Sequence, residues 1–224
     1  MKPKLKISPK TKSLLSELSK EAKKRGASLY LVGGAVRDFA LGRLTRDLDF
    51  TVEGDPTPLV DFCAKLIKAK PVPFDSFGTW RLIGGKDWDI DFATTRKEDY
   101  PSPASLPVVS KPAHILEDLK RRDFTINAMA LRLGNAEFSD LIDPFNGLKD
   151  LENKVIETNP PRSNHSSLKS SGPRDCCQRW NRYKGFLFEL VCESGSTDAP
   201  FEAALKARRC FRRRHKLNAP ETAF

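Results

Sequence analysis

The stretch Leu31-Val32-Gly33-Gly34-Ala35-Val36-Arg37-Asp38, continued as FALGRLTRDLDF to Phe50, decides the fold. Leu29–Val32 is a short apolar run suited to a buried strand. Gly33 and Gly34 interrupt it. Ala35–Leu41 then places Val36, Phe39 and Ala40 on one helical face, with Gly42 as the stop. From Asp47 the period changes to two. Asp47, Asp49 and Thr51 face one side, and Leu48, Phe50 and Val52 the other, which predicts a half-buried strand.

This strand–turn–helix–strand unit carries chemistry as well as shape. A strand that runs through two glycines into a helix lets backbone N–H groups approach a phosphate. Arg37, one turn into that helix, adds a fixed cation. The Asp47 and Asp49 carboxylates share a face about 6–7 Å apart along the strand. That spacing suits two Mg²⁺ ions about 4 Å apart, an arrangement used for in-line displacement at phosphorus. A Gly-Gly pair alone is an ordinary turn, and a D-x-D pair alone an ordinary solvated strand face. Their combination in this order is what points to phosphoryl transfer.

Working outward, residues 11–25 predict a helix with Leu14, Leu15, Leu18 and Ala22 inward, and residues 57–68 a second with Leu59, Val60, Ala64 and Ile67 inward. Residues 79–83 and 87–92 read as strands joined through Gly84-Gly85 in a hairpin. In the second of them Asp87, Asp89 and Asp91 alternate with Trp88, Ile90 and Phe92. If that strand lies beside the first, Asp91 is the favoured third carboxylate; Asp89 in that role, or either as plain surface, stays open. Residues 94–115, with Pro101, Pro103, Pro107 and Pro112, are expected to form a long mobile loop. Residues 123–133 read as a short helix running into a strand. Residues 140–156 read as a turn at Asp143–Gly147, a short helix and a final strand. Just before them, Arg121 and Arg122 form a pair able to clamp phosphates. Asp123 is then either an acceptor for a ribose 2′-hydroxyl or the charged N-cap of the short helix.

Composition narrows the class. The chain has 224 residues, 30% charged and 39% hydrophobic, with a net charge of +10. It has no apolar run of about 18 residues that could span a membrane. Met1–Gly26 is Lys-rich but holds Glu17 and Glu21 and lacks an apolar core, so it does not read as a secretory signal. The expected location is cytoplasmic. Cys63 stands alone, and Cys176, Cys177, Cys192 and Cys210 show no C-x-x-C spacing, so neither a zinc site nor a disulfide framework is expected. The composition shifts after Thr158: residues 159–224 hold 13 of the 39 basic residues but only 6 of the 29 acidic ones. The chain therefore divides into an N-terminal helix (1–26), a compact domain (27–158) and a basic tail (159–224). The tail is expected to be irregular or weakly helical and poorly ordered, as a lineage-specific ending or a truncated or frameshifted remnant. Its Arg208–Lys216 run would hold RNA phosphates electrostatically if it binds RNA. Nothing in the sequence specifies an oligomeric state.

Four stretches together, LVGGAVRDFALGRLTRDLDF (31–50), FGTWRLIGGKDWDIDFATTR (77–96), KRRDFTINAMAL (120–131) and LIDPFNGLKDLENKVI (141–156), resemble the head domain of the class II tRNA nucleotidyltransferase and bacterial poly(A) polymerase family. The resemblance implies an α+β fold, a polymerase-beta-like nucleotidyltransferase palm with a small mixed sheet backed by helices. It implies template-independent addition of C and/or A, from CTP and ATP, to the 3′ end of tRNA or another RNA, with two Mg²⁺ ions. Asp47 and Asp49 would bind the metals, and Asp91 would take the third catalytic carboxylate position. Gly33, Gly34 and Arg37 would hold the triphosphate, and Arg121, Arg122, Asp123 and Asn127 the phosphates and ribose. The D-P-L-R-x-x-R-A-x-R-F and E-D-x-x-R segments of the family's neck do not occur in this sequence. Three alternatives follow: a catalytically silent head that only binds nucleotide or RNA, a poly(A) polymerase, and a transferase acting on a small molecule or protein.

Overall fold

Strand β2 (Asp47–Glu53) lies at the centre of a seven-stranded sheet. The other strands are β1 (Ser28–Val32), β3 (Lys70–Pro73), β4 (Thr79–Ile83), β5 (Asp89–Thr94), β8 (Ala130–Arg132) and β9 (Leu141–Ile142), in the order β3-β4-β5-β2-β1-β8-β9. Only the β2–β5 pairing is parallel, so the sheet is mixed. This computed structural model describes residues 5–74, 78–99, 108–134, 140–155, 157 and 159. All of them fall within the unit formed by Met1–Asp99 and Pro107–Pro160.

Register assigns the two faces. Leu31 pairs with Phe50, and Phe50 with Phe92, so these side chains share one face with Leu29, Leu48 and Ile90, and all are buried. The Phe50 and Phe92 rings stack with centroids 4.9 Å apart. Helix α1 (Pro9–Lys24) begins with Ser8, whose hydroxyl accepts from the Thr11 N–H at 3.1 Å, and with Pro9 in the first turn. It buries the predicted Leu14, Leu15, Leu18 and Ala22. Helix α2 (Gly34–Ala40) packs on β1 and β2. Helix α3 (Thr57–Ile67) packs on α1 and on β3 and β4, and buries Cys63. Burial pushes the Cys63 thiol up to about 12, so it is a core residue and not a nucleophile. On the other face, Tyr30, Val32 and Ala130 pack against Ile115 and Leu119 of α4 (Ile115–Lys120).

Several expectations are corrected. Thr51, expected on the same face as Asp47 and Asp49, is 2% exposed, and its hydroxyl donates to Ala93 O at 3.3 Å. Strand β3 was not foreseen; Pro71 and Pro73 obscure it, and such a strand is tolerated at a sheet edge. Residues 94–115 are not one continuous loop. β6 (Lys97–Asp99) and β7 (Val108–Ser110) pair as an antiparallel ribbon, with residues 100–107 outside the described residues. The short helix at 123–133 is a 3-10 turn, Thr125–Asn127; Phe124, not Asp123, occupies its N-cap, with no side-chain cap bond. Near the end, the strand comes before the Asp143–Gly147 turn, as β9, and no described residue after α5 (Gly147–Glu152) forms the expected final strand. Among the cysteines only Cys63 lies within the described residues. Asn159 alone of the 159–224 segment is described. It is buried, and its side-chain amide donates to Leu119 O at 3.1 Å and Arg122 O at 2.7 Å.

The turn at Gly147 fixes α5 against the 3-10 turn. A Cβ on Gly147 would press into the Thr125 carbonyl, closer than real side chains come, and lie 3.2 Å from Met129 Cγ. Gly147→Ala is therefore expected to cost about 1–3 kcal/mol, the usual range for overpacking. Urea denaturation measures this, and a variant as stable as the parent would show that the contact relaxes freely.

Candidate active site

Strand β1 ends at Val32, which pairs with Asp49 of β2, so the chain enters the Gly33 turn beside the Asp49 side chain. Gly33 adopts φ 71, ψ −132, a conformation that L side chains rarely reach. A Cβ there would lie 3.0 Å from Arg122 Nη1 and 3.7 Å from Asp49 Oδ2. The missing side chain thus opens a space bordered by one guanidinium and one carboxylate that stand far apart in sequence. The Gly33 N–H donates to Met129 O at 3.2 Å, which fixes the turn against the RRDFTINAMA segment. Gly34 faces the Arg37 guanidinium, 3.6 Å from the nearest nitrogen to its would-be Cβ.

Arg37 joins the two motif stretches. Its Nη1 donates to Asn127 Oδ1 at 2.8 Å, and its Nε to Asp38 Oδ1 at 2.9 Å. Asn127 is itself buried. The guanidinium is therefore held in place by partners from both motifs.

The acidic face follows from the sheet. Asp47 pairs with Asp89 and Asp49 with Asp91 in parallel register, so all four carboxylates project to the side opposite Phe50 and Phe92. Asp47 and Asp89 are exposed; Asp49 and Asp91 are half-buried. Across the next pairing, Arg81 of β4 stands opposite Asp91 and grips it with two hydrogen bonds, Nε to Oδ1 at 2.9 Å and Nη2 to Oδ2 at 2.7 Å. Asp91 first, with smaller effects from Asp47 and Asp49, raises the Arg81 pKa above its ordinary value.

Behind the arginine pair lies Asp118, which is fully buried. Its Oδ1 accepts from Arg121 Nε at 3.0 Å and Nη2 at 2.8 Å, and from the Arg96 N–H at 3.2 Å; its Oδ2 accepts from Arg122 Nη2 at 3.1 Å. Burial pushes this carboxyl up, but the Arg122 and Arg121 charges and the hydrogen bonds outweigh burial and hold it below the usual carboxylate range. Arg121 also reaches toward Glu98 of the β6–β7 ribbon, at 3.8 Å.

Of the residues singled out from sequence, Gly33, Asp49 and Arg122 converge directly. Gly34, Arg37 and Asn127 join them through the Arg37 side chain, and Asp47 and Asp91 lie on the same sheet face. Arg121 is turned to Asp118 and Glu98, and Asp123 is exposed, its carbonyl accepting from the Asn159 N–H at 3.1 Å. The sequence reading missed Asp118 and Arg81. Asp118 precedes Arg121 and Arg122 by three and four residues on one helical turn, a spacing that pairs opposite charges. Arg81 becomes recognisable only once its strand register is known.

A model of the poly A polymerase head domain matches residues 29–157. The chain belongs to this family. An A-adding tRNA nucleotidyltransferase of Aquifex aeolicus is 47% identical over 134 residues, covering 60% of this chain and 16% of that protein. A CCA-adding enzyme, apo form II, superimposes with a TM-score of 0.63 at 36% identity, covering 69% of this chain and 36% of that one. A tRNA nucleotidyltransferase complexed with a primer tRNA and an incoming ATP analog gives 0.54 at 41% identity, covering 64% and 39%. The chain thus spans between about a sixth and two-fifths of the length of these relatives. The mixed sheet backed by helices is the expected head fold of the poly A polymerase family. Among the described residues no helix is long and apolar enough to cross a membrane.

Proposed function

We propose that this head transfers nucleotides, C and/or A, from CTP and ATP to the 3′ end of tRNA. The observation that carries this reading is the opening at Gly33, bordered by Arg122 and Asp49 and tied through Arg37 to Asn127. It offers a cation for phosphate oxygens directly beside a carboxylate on the acidic sheet face. The relatives support the same reading, since one is an A-adding tRNA nucleotidyltransferase and another a tRNA nucleotidyltransferase complexed with a primer tRNA and an incoming ATP analog.

The residues fit a divalent cation. Mg²⁺ is typically held by one or two carboxylates together with substrate phosphates. Asp47 and Asp49 supply two hard oxygen donors on one face, beside the glycine opening. Held there by Asp47 and Asp49, Mg²⁺ would supply Lewis-acid activation of the RNA 3′-hydroxyl and stabilisation of the departing pyrophosphate. Gly33 admits the phosphates by leaving its Cβ position empty. Arg122, held by Asp118, orients them, and Arg37 with Asn127 keeps the turn in register with the phosphate-binding arginine. Asp123, exposed beside Arg122, would accept from a ribose hydroxyl. We assign the head domain to residues 27–158, and Asn159, just beyond it, donates to Leu119 O and Arg122 O.

The test is single-nucleotide incorporation with the full chain, Mg²⁺, tRNA lacking its 3′ CCA, and each nucleoside triphosphate in turn. Addition of CTP, ATP or both is the expected result, and the ladder names the product. A folded protein that binds ATP yet extends no tRNA would replace this reading with a nucleotide-binding head that is catalytically silent.

A further inference from the structure

Arg81 stands on the acidic face of the sheet, and the reaction just described does not use it. It comes from β4, adjacent to β5, and its two-pronged grip on Asp91 holds the carboxylate that stands in register with Asp49. Neighbouring strands lie about 4.8 Å apart, so Asp91 is within reach of a cation bound at Asp49 once the arginine leaves. The pair is only partly shielded, with the side chains 51% and 28% exposed, so it is weak enough to be exchanged. The guanidinium also lies over the Phe74 ring, 5.1 Å from its centroid, which gives it a second anchor when Asp91 is released.

We propose that Arg81 is a resident counter-ion of the metal site, pairing with Asp91 in the metal-free protein and giving up that carboxylate when a divalent cation is bound at Asp47 and Asp49. The proposal rests on the metal-binding reading above. It makes metal binding and the Arg81–Asp91 pair mutually exclusive. The cost of displacing the arginine then weakens cation binding until nucleotide phosphates add further ligands.

Mn²⁺ binding, followed by the electron paramagnetic resonance signal of the free ion, tests this without any activity readout. The full chain is compared with Arg81→Gln, Asp91→Asn, the double variant, and Asp47→Asn/Asp49→Asn, each with its melting temperature. Arg81→Gln is expected to bind Mn²⁺ about three- to tenfold more tightly, the scale of one charge a few ångströms away at a wet surface. In the double variant most of that gain should vanish, because the freed Asp91 is what supplies it. An equal gain with and without Asp91 would reduce Arg81 to a general repulsive charge and overturn the exchange. No gain at all would overturn the proposal outright. If wild-type binding is unaffected by Asp47→Asn/Asp49→Asn, or if no form binds Mn²⁺, the metal-binding reading itself fails together with the proposal.

Discussion

Asp47→Asn/Asp49→Asn is expected to lower nucleotide incorporation by about a thousandfold or more while leaving the fold intact. The magnitude follows from the several kcal/mol that a positioned metal contributes to charge stabilisation in the transition state. The fold should survive because Asp47 is exposed and Asp49 half-buried, on the face opposite the Phe50–Phe92 stack. Asparagine keeps the size of each side chain, so the β2–β5 register is not disturbed. Incorporation is read on a gel at saturating nucleotide, alongside thermal denaturation of each variant. Activity within tenfold of wild type, with the variant folded, would remove the acidic face from the chemistry and leave the Gly33 opening as a binding feature only.

The site was legible in sequence where chemistry imposes local spacing. Asp47 and Asp49 share a face because a strand alternates, and Gly33 is glycine because the turn takes φ 71. Neither depends on distant contacts. The link between Arg37 and Asn127, 90 residues apart, follows only from the sheet that places β8 next to β1. Asp91 was favoured from its apolar neighbours, yet only the parallel pairing of β5 with β2 puts it beside Asp49, and only the pairing with β4 reveals that Arg81 holds it. The fold followed the same division. Amphipathic helices and alternating strands carry their period in sequence. Strand β3 and the β6–β7 ribbon are short and interrupted or bordered by prolines, and they exist because a neighbouring strand completes their hydrogen bonds.

Asp118→Ala is expected to be the most destabilising single substitution near the site, by about 3–5 kcal/mol, the usual loss when one member of a buried charge network is removed. Arg121 and Arg122 are each only 19% exposed, so neither can turn fully to water, and the Arg96 N–H loses its acceptor as well. The pH dependence has a definite sign. The folded-state pKa of Asp118 is depressed, so its contribution is complete above the ordinary carboxylate value of about 3.9 and is lost as pH falls through the lower folded value. The stability gap between wild type and Asp118→Ala should therefore be constant near neutrality and narrow only in strong acid. Urea denaturation from neutral pH down to about pH 3, just below that ordinary value, measures both quantities. A gap under about 1 kcal/mol at neutral pH, no larger than an exposed ion pair gives, would mean that the arginines find other partners. The functional consequence separates support of the site from general packing. Leu119→Ala removes buried volume from the same helix without touching the Asp118 carboxylate, so it should lower stability while leaving ATP affinity nearly unchanged. Asp118→Asn keeps the shape but not the charge that fixes Arg122 over Gly33, and it should weaken ATP binding about tenfold, the equivalent of roughly 1.4 kcal/mol. If the two variants weaken ATP binding equally for equal losses of stability, Asp118 supports the helix and not the nucleotide.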